Sequence, residues 1–113
     1  MASKINLDKK RMHVTNTHPS GVVDVDTIFE FTQEEDMVYA KYAGGGIKLG
    51  YLIGKLTGRD LEFRYTQIQK SGVLDGGHSM CKVRQTVDGV VRIEEHFEWE
   101  SRQGEGINIF EEV

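Results

Sequence analysis

The sequence predicts an all-β fold, an antiparallel up-and-down meander of about eight strands wrapped into a barrel. Three observations carry this. Apolar residues recur at every second position, turn residues punctuate the chain about every ten residues, and glycines fall inside strands where a closing sheet must bend or bulge. Proline occurs once, at Pro19, so it breaks none of the later runs.

Splitting the chain at its turn signals leaves eight segments of strand length, residues 11–17, 22–33, 37–43, 47–56, 61–70, 73–86, 90–101 and 107–112. The turns between them fall at His18 to Gly21, Glu34 to Asp36, Gly44 to Gly46, Thr57 to Asp60, Ser71-Gly72, Asp88-Gly89 and Arg102 to Gly106. Ser71-Gly72 and Asp88-Gly89 suit turns that need positive φ. Ile5 to Leu7 is a candidate for a short ninth strand.

Alternation within the segments favours strands over helices. Val23, Val25, Thr27, Phe29 and Phe31 share one face, with Asp24, Asp26 and Glu30 on the other. Leu61, Phe63 and Tyr65 alternate with Glu62, Arg64 and Thr66. Val91, Ile93, Phe97 and Trp99 alternate with Arg92, Glu94, His96, Glu98 and Glu100. In the segments holding Tyr39, Tyr42 and Tyr51 both faces carry apolar groups, so the alternation leaves their inward face open. Hairpin-only connections favour a closed barrel over a sandwich, which usually needs longer crossovers. Gly50, Gly54, Gly76 and Gly77 mark the expected bends, and a bulge at Gly76-Gly77 would turn Leu74 inward while Lys82 and Arg84 face out.

Composition narrows the function classes. The 113 residues form one domain, long enough to bury a core without disulfide or metal. Fourteen basic and 18 acidic residues are interspersed for a net charge of −4, with no basic stripe of the kind that phosphate binding needs. Nucleic acid is therefore not an expected partner. No stretch approaches transmembrane length, and the charged first eleven residues lack the apolar run of a signal peptide. A single cysteine, Cys81, suits a reducing compartment, and the expected location is cytoplasmic.

The most informative polar residue is Glu95. It shares parity with Val91, Ile93, Phe97 and Trp99, which places a carboxylate on the apolar face. Burying it unpaired costs several kcal/mol, so it must meet a hydrogen-bonding partner, a ligand or a proton. Tyr65 and Gln67 extend the inward face of Leu61 and Phe63 toward one barrel end, as a ligand mouth would. Phe63, Tyr65, Gln67, Glu95, Phe97 and Trp99 are accordingly the expected ligand-binding wall.

Other constellations read as ordinary structure. Glu94, His96 and Glu98 form a row that could hold a divalent metal if a neighbouring strand supplied a further ligand, His78 or Asp75. Cross-strand pairing of Lys82 and Arg84 with Glu94 and Glu98 explains the row as a solvated face, so no metal or cofactor is expected. His78 and Cys81 stand three apart, on opposite faces of a strand, and cannot form a pair. Cys81 reads as a buried filler, and His13 and His18 as surface or loop residues. The glycines at 44–46 precede a strand and offer no helix N-terminus to a phosphate.

Tyr42-Ala-Gly-Gly-Gly-Ile-Lys-Leu-Gly-Tyr-Leu-Ile-Gly54, Leu61-Glu-Phe-Arg-Tyr65 and Glu95-His-Phe-Glu-Trp99 after Asp88-Gly89 resemble a family of short bacterial proteins that often carry the name N-acetylglutamate synthase. The resemblance covers nearly the whole chain and implies a name, without catalytic residues to carry onto these positions. Acetyltransferases of the usual fold pack helices on a sheet and use an Arg/Gln-x-x-Gly-x-Gly/Ala turn. Gln103-Gly-Glu-Gly106-Ile-Asn108 departs from that turn at its last position. In architecture the meander is similar to the lipocalin and avidin group of ligand-binding barrels. The expected role is binding of a small, partly apolar molecule by a monomer or homodimer. An enzyme with Glu95 as acid/base or a metal on Glu94, His96 and Glu98 is one alternative, and an interaction module with a filled barrel is the other.

Overall fold

The computed structural model describes residues 5–17 and 21–113. Eight antiparallel strands each pair with the next, and the eighth returns to the first to close a barrel. They are β1 (Arg11–Asn16), β2 (Ile28–Glu34), β3 (Met37–Gly44), β4 (Ile47–Thr57), β5 (Asp60–Gln69), β6 (Leu74–Gln85), β7 (Val91–Trp99) and β8 (Glu105–Glu112). Because the connections are hairpins, one end of the barrel collects the starts of β2, β4, β6 and β8. This end is the mouth of the barrel. The turn expected at His18, Pro19 and Ser20, like His18 itself, lies outside the described residues.

The predicted alternation places the core. Val38, Ala40 and Tyr42 point inward from β3, and Leu52 and Leu56 from β4, whereas Tyr39, Tyr51 and Ile53 face outward. Leu61, Phe63, Tyr65 and Gln67 point inward from β5, and Val91, Ile93, Glu95, Phe97 and Trp99 from β7. Cys81 is buried in β6, on the face opposite to the partly exposed His78.

Four expectations need correction. Residues 22–27 do not extend β2; Val25 is exposed, and the segment folds on its own polar groups. The Asp26 amide donates to Asp24 Oδ1, the Asp24 amide to Thr27 Oγ1, and the Thr27 hydroxyl to the Gly44 carbonyl. Such local bonds compete with the sheet ladder and win here. Ile5 to Leu7 is not a ninth strand either. The Leu7 amide donates to Gln33 Oε1, and Ile5 and Leu7 bury themselves against the barrel core.

Leu74 stays exposed, because β6 pairs with β5 without a bulge from Ile68↔Leu74 to Asp60↔Lys82. Unbroken alternation turns Asp75 inward instead. Lys82 does face Glu94, but its ammonium pairs with Asp60, while Arg84 faces Arg92 and Glu98 faces His78. The register set by Gln85↔Val91 at the β6–β7 hairpin fixes these partners.

Three of the four glycines expected to mark bends act by being small. Gly50 is the register partner of Tyr42, Gly54 of Phe63 and Gly77 of Tyr65. A Cβ at Gly50 would overlap the Tyr42 ring, one at Gly54 would meet Phe63, and one at Gly77 would meet the Tyr65 hydroxyl. The Tyr42 and Tyr65 rings thus lie over a bare stretch of the adjacent strand, and Gly54 lets the backbone at Phe63 come close. Gly50→Ala and Gly77→Ala should each destabilise the barrel by about 1–3 kcal/mol in urea denaturation, through overpacking. Changes below about 0.5 kcal/mol would show that the rings have room to move.

Candidate functional site

The inward wall near the mouth is aromatic. Tyr65 packs edge-on to Trp99 at a centroid distance of 5.7 Å, and Phe97 does the same at 5.7 Å. Phe29 stacks on Tyr42 at 4.3 Å on the opposite side. Over the Trp99 ring lies the Arg102 guanidinium, 4.2 Å from its centroid. Asp75, itself only 3% exposed, holds that guanidinium at 3.4 Å and also accepts from Gln69 Nε2 at 2.7 Å.

These rings enclose a cavity of about 30 Å³, room for about two water molecules. All six residues of the expected ligand-binding wall, Phe63, Tyr65, Gln67, Glu95, Phe97 and Trp99, line it. Tyr42, Leu52, Asn108 and Phe110 join them, and Gly21, Val22 and Val23 line it from the segment before β2. This last segment forms no strand.

Polar groups in the cavity are unevenly satisfied. The Tyr42 hydroxyl donates to Gln67 Oε1 at 2.7 Å. Gln67 Nε2 and the Tyr65 hydroxyl are buried and have no hydrogen-bond partner among the described residues. An unsatisfied buried polar group costs about 1–3 kcal/mol. Glu95 is better held: the Ser79 hydroxyl donates to its Oε2 at 2.6 Å, and Asn108 Nδ2 donates to its Oε1 at 2.9 Å. Asn108 stands directly opposite on β8, while Ser79 is a diagonal neighbour on β6.

Burial pushes the Glu95 carboxyl above the ordinary carboxylate range, and the bonds from Ser79 and Asn108 oppose that rise only in part. Burial first, and the nearby Glu95 second, also raise the Tyr42 and Tyr65 hydroxyls and the Cys81 thiol, so these stay neutral at physiological pH.

Alternation leaves the direction of Tyr42 open and gives Asp75 only a place beside a metal, and it does not single out Ser79 or Asn108. Ser79 shares parity with the buried Cys81 and Val83, and Asn108 with Phe110, so the signal was present but weak in strands with few large apolar residues. The row Glu94, His96 and Glu98 lies on the outer face. Among the described residues no group of three histidine, cysteine, aspartate or glutamate side chains is placed to hold a metal ion. Among the described residues no helix is long and apolar enough to cross a membrane.

The sign of the Glu95 effect on stability follows from its direction. Folding favours the protonated carboxyl, so its contribution is complete below the ordinary carboxylate range and is lost as pH rises through the raised value. Glu95→Gln keeps both contacts, since an amide oxygen accepts from Asn108 and an amide nitrogen donates to the Ser79 hydroxyl. At about pH 7 the variant should exceed the wild type in stability by roughly 1–3 kcal/mol. The gap should narrow toward about pH 4 in denaturant titrations, and a gap independent of pH would contradict a carboxyl that burial resists ionising.

Comparison with known proteins adds one finding. No curated protein and no solved structure matches the chain. The family model described as "Avidin-like protein" matches residues 5–113, all eight strands included, and the chain belongs to that family.

Proposed function

We propose that the barrel binds one small, partly apolar molecule in the cavity at its mouth, with Phe63, Tyr65, Gln67, Glu95, Phe97 and Trp99 as its wall. The observation that carries this reading is the pair of buried polar atoms, the Tyr65 hydroxyl and Gln67 Nε2, that face an aromatic cavity with no partner among the described residues. Native cores rarely leave two such groups together, and a ligand acceptor between them would satisfy both. Membership of the avidin-like family supports a role in small-ligand binding.

The cavity as it stands is too small for more than a ligand's polar head. Val22 and Val23 line it without belonging to a strand, and a shift of these two side chains would make room for an apolar body. The backbone there is held, by the Thr17 hydroxyl on the Val23 carbonyl and by the Thr27 hydroxyl on the Gly44 carbonyl. Expected partners are thus small molecules carrying a hydrogen-bond acceptor on an aromatic or aliphatic frame.

Trp99, the only tryptophan, reports on the site. A screen of small heterocycles, carbonyl compounds and amines, biotin among them, should find compounds that change its fluorescence saturably. Tyr65→Phe should weaken such a compound roughly 2- to 10-fold. The same variant should raise the unliganded protein's stability by about 1 kcal/mol, because it removes an unsatisfied hydroxyl. No saturable change from any compound, or a Tyr65→Phe variant that loses stability, would contradict the reading.

A further inference from the structure

Cations are missing from the inside of this barrel. Among the described residues no lysine, arginine or histidine is buried, whereas Glu95 is 5% exposed and lines the cavity. Ser79 and Asn108, which hold it, are neutral donors, each bonded to one carboxylate oxygen. Each oxygen keeps acceptor capacity for a further donor. Arg102, at the mouth, is occupied by Asp75 and by the face of Trp99. Trp99 lies four residues beyond Glu95 on β7, roughly 13 Å along the strand. The aromatic rings between them suit an ammonium group on its way in, since ring faces attract cations.

We infer that the ligand carries, besides the acceptor that meets Tyr65 and Gln67, a protonated amine, with Glu95 as its counter-ion at the floor of the cavity. This rests on the binding role proposed above and adds the ligand's charge to it. A carboxylate or phosphate would face Glu95 with no buried cation among the described residues to receive it. A neutral ligand would leave Glu95 as it is, whereas an ammonium supplies the charge that the barrel wall lacks.

The proton balance gives a signature. Where Glu95 is protonated in the free protein, an incoming ammonium ion displaces that proton to solvent, and an ammonium–carboxylate pair remains. Affinity then strengthens as pH rises, up to tenfold per unit, until Glu95 is ionised without ligand, and levels off beyond. The titratable groups near Glu95 are Cys81 of β6, Tyr65 of β5 and Tyr42 of β3, with Ser79, Asn108 and Gln67 uncharged. His96, beside it in sequence, points outward, but its positive charge, when protonated, favours the ionised Glu95. Tyr42, Tyr65 and Cys81 stay neutral throughout this window.

Three probes of one shape test the inference: 2-phenylethylamine, 2-phenylethanol and 3-phenylpropanoate, titrated calorimetrically into the full chain. The amine should bind at least tenfold more tightly than the alcohol and release a proton, seen as a dependence of the heat on buffer ionisation. Glu95→Gln, checked for folding by its thermal melt, should weaken the amine roughly 30-fold or more and leave the alcohol little changed. If the alcohol or the carboxylate binds the wild type as tightly as the amine, the inference fails and the binding reading stands. If the amine binds without proton release across pH 5–8 and Glu95→Gln binds it equally, the counter-ion role fails. Binding by none of the three defeats the inference, and the broader screen then decides the fate of the binding role itself.

Discussion

The inner face of a small barrel is largely withdrawn from water, so the polar groups it encloses depend on one another, or on a guest, for partners. In this chain that constraint falls hardest on Glu95. Its carboxyl is tied to β6 through Ser79 and to β8 through Asn108, and no buried cation joins them among the described residues. Two hydrogen bonds from neutral donors hold the group in place but do not replace hydration of a full charge. The polar character of the interior, and the chemistry it can offer a guest, both follow from that imbalance.

The wall around Glu95 depends on a second device, the pairing of inward rings with glycines on neighbouring strands. Tyr42 over Gly50 and Tyr65 over Gly77 lay two phenols flat against the sheet on two sides of the cavity. A side chain at either glycine would push its ring into the cavity or out of the barrel. The cavity's shape is therefore set by residues without side chains as much as by those that line it. Its polar groups are unequal: Tyr42 commits its hydroxyl to Gln67, whereas the Tyr65 hydroxyl meets no partner among the described residues.

Much of this was legible in the sequence. Period-two alternation located the eight strands to within a few residues, apart from residues 22–27, and the parity of Glu95 with Phe97 and Trp99 placed a carboxylate inside. Residues 22–27 misled because Val23, Val25 and Thr27 mimic a strand face. Hydrogen bonds accepted by the Asp24 and Thr27 side chains from backbone amides decide the conformation there, and periodicity does not register such bonds. Leu74 and Arg84 misled for another reason. Hydrophobicity favoured a bulge that turns a leucine inward, but β6 keeps an unbroken register and buries Asp75, which finds Gln69, Ser101 and Arg102 as partners. Cross-strand partners depend on hairpin register, which one strand's sequence does not specify.

The state of one carboxyl is therefore the test of the whole account. Carbon-13 NMR of side-chain carboxyls, with the Glu95 resonance assigned by its loss in Glu95→Gln, follows the ionisation of this group directly. The account predicts that Glu95 titrates well above the exposed glutamates of the same protein. A Glu95 midpoint among those of the exposed glutamates would mean that water or an unrecognised cation reaches it, and would contradict the picture of a carboxyl sealed within the barrel by neutral donors.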